Sequence, residues 1–173
     1  MAISTLHVDG LIAGAPLLYS SADLEALDAS AQITDVGEHV PGRAGRGVLF
    51  RALFDVRGLL ENARWVELSS EEGDFVVSLP IEEVADQGLL WYAGTEGFLT
   101  SDDGGPFRLL IPGYRDACAN LKHLAHICFM DRPGRDTRPT SRASHAAPTT
   151  RPWTHPRSMM GTTASWNSSW APC

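Results

Sequence analysis

Two cations stand out because of where they sit. Arg108 lies inside the apolar run Phe107-Arg-Leu-Leu-Ile111, and Lys122, the single lysine of the chain, follows a polar loop. An arginine inside such a run needs a partner, since an unpaired buried charge is costly. Arg108 and Lys122 could jointly hold a phosphate or another polyanion. The competing reading pairs Arg108 with Asp102 or Asp103 and leaves Lys122 exposed. A second candidate is Pro41-Gly-Arg-Ala-Gly-Arg-Gly47. Its glycine amides, with the guanidinium groups of Arg43 and Arg46, could form an anion loop. It lacks the lysine of a P-loop, and a solvated turn is the alternative.

Other reactive side chains point to less. Cys118, His123, His126 and Cys128 invite a zinc reading, but a site of that kind needs four ligands converging on one point. On a strand, His123 and His126 would face opposite ways, and Cys128 would share a face with His126 only. Ordinary packing of both cysteines is therefore expected, and neither thiol has an evident activating base. Glu71, Glu72, Asp74, Glu82, Glu83 and Asp86 read as solvated carboxylates at turns and helix starts. Ser69 and Ser70 lie outside any Gly-x-Ser-x-Gly elbow, so serine hydrolase chemistry has no support.

The elements that must position these groups are short. Leu6 and Val8 predict a strand, and Ser20 or Ser21 can cap a helix reaching Leu27. Leu49, Phe50, Leu53 and Phe54 have helical spacing, closed by Gly58. Trp65–Ser69 and Phe75–Leu79 alternate around a turn and predict a hairpin. Pro80–Val84 predicts a single helical turn, and Leu89–Tyr92 and Phe107–Ile111 predict buried strands. Leu121–Phe129 is ambiguous between helix and strand. The fold class expected is α+β, with mixed β-sheets and short helices.

Composition divides the chain of 173 residues. Residues 1–130 hold 8 basic and 19 acidic side chains, whereas residues 131–173 hold six arginines and two acids. The acidic body disfavours nucleic acid as the partner, since phosphate contacts need Lys and Arg. No apolar run approaches a membrane span, and the start lacks the pattern of a secretory signal, so a cytoplasmic protein without a membrane partner is expected. Three cysteines without regular spacing argue against a disulfide framework. Two parts are expected: a domain over 1–130 and a disordered tail over 131–173 rich in Ser, Thr, Pro and Arg. A changed reading frame would account for the simultaneous loss of acids, Leu and Val in that tail. Sequencing the gene across the junction checks this, an uninterrupted frame shared by close relatives being the contrary result.

The run Gly105-Pro-Phe-Arg-Leu-Leu-Ile-Pro-Gly, followed by Cys-Ala-Asn-Leu-Lys122, resembles the molybdopterin-binding domain of sulfite-oxidase-type oxidoreductases. That family shows an acid-His-Gly-x-Pro-x-Arg run, a strand ending in Pro-Gly, and a Val-Lys-Trp segment. Leu6-His-Val-Asp-Gly-Leu, Ser20–Leu27, Gly47-Val-Leu-Phe-Arg-Ala-Leu-Phe and Trp65–Val84 are similar to further family segments in the same order. The resemblance implies the sulfite-oxidase-type fold and molybdopterin, carrying molybdenum, as cofactor. It implies that Arg108 and Lys122 contact the pterin, with Arg43 and Arg46 as supplementary anion contacts. Two departures stand out. Asp103 replaces the family's histidine, and the interval Gln32–Gly47, where the family's molybdenum-ligating cysteine lies, contains none. Asp35, Glu38 and His39 nearby are not equivalent soft ligands. Two functions compete: a molybdopterin-dependent oxidoreductase, or a diverged and catalytically inactive member that still binds the cofactor, against a metal-free binding or interaction module on the same fold. The ligand expected is a small-molecule cofactor or anion.

Overall fold

The computed structural model describes residues 4–139. Its strands, in chain order, are β1 (Leu6–Gly10), β2 (Leu17–Tyr19), β3 (Gln32–Ile33), β4 (Arg46–Leu49), β5 (Trp65–Ser70), β6 (Val76–Pro80), β7 (Leu89–Ala93), β8 (Arg108–Leu110) and β9 (Leu124–Met130). Three short helices, α1 (Ser21–Glu25), α2 (Ala52–Asp55) and α3 (Ile81–Ala85), join them. A five-stranded sheet has the order β2-β1-β9-β5-β6, and a four-stranded sheet the order β3-β4-β7-β8. The first is mixed, because β1 runs parallel to β9 while its other pairs are antiparallel. The second is antiparallel throughout. The α+β class expected from the sequence is the class observed.

Period-two burial explains how the sheets share a core. Leu6 and Val8 of β1, Val66 and Leu68 of β5, and Ile127 and Phe129 of β9 meet Val48, Leu90, Tyr92 and Leu109 from the second sheet in one large apolar cluster. Strands β7 and β8 also have an opposite face. There Leu89, Trp91 and Leu110 join Ile33, Val36 and Leu99 in a smaller cluster. Arg108 lies two residues before Leu110 and directly opposite Trp91, and so falls on that second face. Alternation thus makes Arg108 the one charged side chain on a strand otherwise given to packing.

The hairpin and the helical turn after Pro80 fall where the spacing put them. Helix α1 is shorter than expected, ending at Glu25, and begins with a reciprocal capping box between Ser20 and Asp23. The helix expected around Leu49–Phe54 begins only at Ala52, because Leu49 and the residues before it pair with β7. The ambiguous segment is a strand, β9, from Leu124.

The first compact unit extends to Arg138, past the boundary placed at 130. Its last residues lie along β6, which is an edge strand. The Thr137 amide donates to the Val76 carbonyl at 2.8 Å, the Val76 amide donates to Thr137 Oγ1 at 2.9 Å, and the Ser78 amide donates to Asp136 Oδ2 at 3.1 Å. Arg138 closes this strap by donating to Asp136 at 2.6 Å, to Asp116 at 3.0 Å and to the Ser78 carbonyl at 3.2 Å. Composition marked residues 131–138 as tail because their hold on the body is polar. The expectations for the tail beyond residue 139, disorder and a changed frame included, lie outside the described residues.

Candidate functional site

Arg108 is 6% exposed. One guanidinium nitrogen, Nη1, donates to the backbone carbonyl of Asp103 at 2.8 Å. Its Nε is buried and has no partner among the described residues. Neither Asp102 nor Asp103 forms a side-chain ion pair with it among those residues, whereas Lys122 is exposed, as the competing reading had it. The Asp103 carboxylate instead accepts from the Thr100 hydroxyl at 2.8 Å. Burial, reinforced by the nearby charge of Arg43, lowers the Arg108 pKa to about 10. The charge of Asp103 offsets part of this, and the guanidinium stays charged at neutral pH.

Lys122 is brought to Arg108 by a glycine. A Cβ built on Gly104 would lie 2.7 Å from Lys122 Cγ, 2.9 Å from Lys122 Cβ and 3.2 Å from Arg108 Cδ. The two stems therefore flank a backbone that can carry no side chain of its own. Gly104 has φ +89°, the left-handed conformation that glycine adopts without steric cost. The loop is fixed by the Gly104 amide donating to the Ser101 carbonyl at 2.9 Å and the Gly105 amide to the Thr100 carbonyl at 2.8 Å. On the far side, the Leu109 amide donates to the Leu121 carbonyl and the Leu124 amide to the Phe107 carbonyl, at 2.9 and 2.8 Å. These bonds hold the Lys122 segment beside β8.

Arg43 joins the group from the loop before β4. Its guanidinium carbon lies 5.9 Å from the centroid of the Trp91 ring, opposite Arg108 in the sheet register. A cation over an indole face is favourable. Arg46 goes elsewhere, forming an ion pair with Glu25 on the surface. Of the four cations singled out, Lys122 and Arg108 meet at Gly104 and Arg43 lies over Trp91, the strand partner of Arg108, whereas Arg46 is turned to Glu25. The sequence reading passed over Trp91 and Gly104 as site residues. Trp91 looked like one more apolar position of a buried strand, and the role of Gly104 depends on two residues that meet only in the fold.

The zinc alternative finds no support, since no group of three His, Cys, Asp or Glu side chains able to hold a metal occurs among the described residues. His126 Nε2 donates to Asp9 at 2.9 Å across the β1–β9 pair. Burial, with Asp9 and Glu67 beside it, pushes the Cys128 thiol up to about 12, so it is a protonated packing group rather than a thiolate. No described helix is long and apolar enough to cross a membrane.

Residues 43–137 match the family model described as the oxidoreductase molybdopterin binding domain. Among solved structures, the chain is similar to the sulfane dehydrogenase SoxCD from Paracoccus pantotrophus, with a TM-score of 0.58 and 18% identity. That match covers 75% of this chain and 39% of the other, so this chain spans well under half the length of that relative. No curated protein matches. The likeness to the solved structure concerns the fold, and it agrees with the sulfite-oxidase-type architecture expected from the sequence.

Proposed function

The chain belongs to the oxidoreductase molybdopterin-binding domain family, and on that premise we propose that it is a diverged member that holds the anionic pterin through Arg108, Lys122 and Arg43. The observation that carries this reading is the buried Arg108 guanidinium, with Nε left unpartnered beside Lys122 at the Gly104 cradle. A native fold retains an unpaired buried charge at a cost, and a site for an anion is a reason to retain one.

The residues fit the organic, negatively charged part of the cofactor. Arg108 presents planar donors, Lys122 a point charge, and Arg43 a second guanidinium held against Trp91. They do not supply the protein's own thiolate to the metal. The interval Gln32–Gly47 has no cysteine. Cys128 lies on β9 in the five-stranded sheet rather than in the sheet that carries Arg108, and burial pushes its thiol up to about 12. The bound group supplies the redox chemistry in this family, and no catalytic step is assigned to this chain. What its own residues do is bind the anion, orient it against Trp91 and shield Arg108 from water. The same lack of a thiolate favours a second reading, a metal-free interaction module on this fold.

The two separate in protein produced by a host able to make the cofactor. The expected result is about one released pterin per chain, lost in Arg108→Ala, without stoichiometric molybdenum. Stoichiometric molybdenum would overturn the diverged assignment, and absence of both pterin and molybdenum would leave the interaction module.

A further inference from the structure

We infer that His123 is a positioning residue of the anion site, its ring and its left-handed backbone clamping Lys122 against the Gly104–Gly105 loop. This rests on the anion-site reading above. Among the described residues His123 is the single non-glycine residue with positive φ, at 52°. L residues avoid that region, and one held there in a well-bonded loop is a sign that the turn it makes is needed. The residue falls directly after Lys122, where the segment running along Phe107–Leu109 passes into β9.

The backbone amide and carbonyl of His123 and one ring nitrogen are engaged. The His123 amide donates to the Gly104 carbonyl at 2.7 Å, and the Glu71 amide donates to the His123 carbonyl at 2.8 Å. The ring Nδ1 lies 2.7 Å from the Gly105 carbonyl oxygen. A carbonyl only accepts, so Nδ1 is the donor in this contact. His123 therefore holds two successive carbonyls of the loop whose Cα separates the Lys122 and Arg108 stems. Loosening that clamp moves Lys122 relative to Arg108, and two cations that hold one anion lose affinity when their spacing is no longer fixed. The family segment to which this region is similar has tryptophan after the lysine, so the clamp is a feature of this chain's own sequence.

The test titrates inorganic phosphate into cofactor-free protein, followed by phosphorus NMR line broadening, with thermal melts alongside. Arg108→Ala and Lys122→Ala should each weaken phosphate at least tenfold. His123→Gly keeps the left-handed backbone and removes the ring, so it should stay folded and yet weaken phosphate at least fivefold. His123→Asn tolerates the same backbone and carries an amide nitrogen the same number of bonds from Cα as Nδ1. It should restore affinity to within twofold. A His123→Gly variant that binds like the parent, or a His123→Asn variant as weak as His123→Gly, overturns the positioning role while Arg108→Ala still upholds the site. An Arg108→Ala variant that binds like the parent overturns the site and the inference together.

Discussion

At Arg108, stability and binding pull in opposite directions. The side chain is buried, keeps one hydrogen bond to a backbone carbonyl and leaves Nε unpartnered. Breaking an ordinary buried ion pair costs about 3–5 kcal/mol, because a charge is left uncompensated. Arg108 is already in that condition, so Arg108→Met removes the uncompensated charge itself and keeps most of the volume. Urea unfolding should place Arg108→Met within about 1 kcal/mol of the parent or above it, while anion binding is lost. A loss of several kcal/mol would show that the guanidinium is a structural group. Arg46 makes the contrast. Its pair with Glu25 is about half exposed on both sides, and Arg46→Ala should cost no more than about 1 kcal/mol and leave bound pterin unchanged. The sequence named the two arginines as anion contacts on different grounds, a glycine-rich context for Arg46 and an apolar run for Arg108. It could separate them only through strand alternation, which puts Arg108 opposite Trp91. Nothing local in the sequence announces that Glu25 is within reach of Arg46.

Elements were legible where the pairing is local. The β5–β6 hairpin shows itself because five cross-strand pairs repeat a two-residue period across one short turn. Strand β9 hid its nature. The register shifts between Ser69 and Ser70, whose partners are His126 and Leu124, so Ala125 is an extra residue. That bulge moves Leu124 and Ile127 three apart on the buried side and imitates a helical spacing. Its parallel pairing with β1, over a hundred residues away in sequence, leaves no local trace at all. The strap over β6 was illegible for another reason, since side-chain oxygens and one arginine do there what a strand's backbone would do. Arg138→Ala should cost about 1–2 kcal/mol and speed amide exchange at Val76 and Ser78 selectively. Burial raises the Asp136 pKa, but its bonds to Arg138 and to the Ser78 amide outweigh that and hold it below the usual 3.8. A depressed carboxylate contributes its stability above the unfolded value and loses it as pH falls through the folded one. The stability gap between parent and Arg138→Ala should therefore be constant above about pH 5 and shrink as pH falls through 3.8 and below. A gap that widened on acidification would contradict the clasp.

For the molecule as a whole, the two apolar clusters divide the labour. The larger one is built between the sheets and includes Phe129, whose ring meets Phe54 edge-on at 5.6 Å and Phe50 at 6.5 Å. The smaller one lies on the outer face of the four-stranded sheet and is continuous with the site through Trp91. Removing Phe129 strips contacts between elements from both halves of the chain, and Phe129→Ala should cost about 3–5 kcal/mol. Leu110→Ala, in the smaller cluster, should cost about 2–3 kcal/mol, since fewer elements converge there. The difference has a functional edge. A ligand bound to the folded state adds stability according to its saturation, about 2.7 kcal/mol at a hundred times its Kd, whichever cluster has been weakened. At the site proposed above it would also bridge Arg108 and Arg43, on the face that the smaller cluster supports. Saturating pterin or phosphate should therefore protect the amides of β7 and β8 from exchange more than those of β1 and β9. It should do so in Leu110→Ala as well as in the parent, with no such bias in Arg108→Met. Equal protection of both sheets in the parent would place the anion somewhere other than the Gly104 cradle.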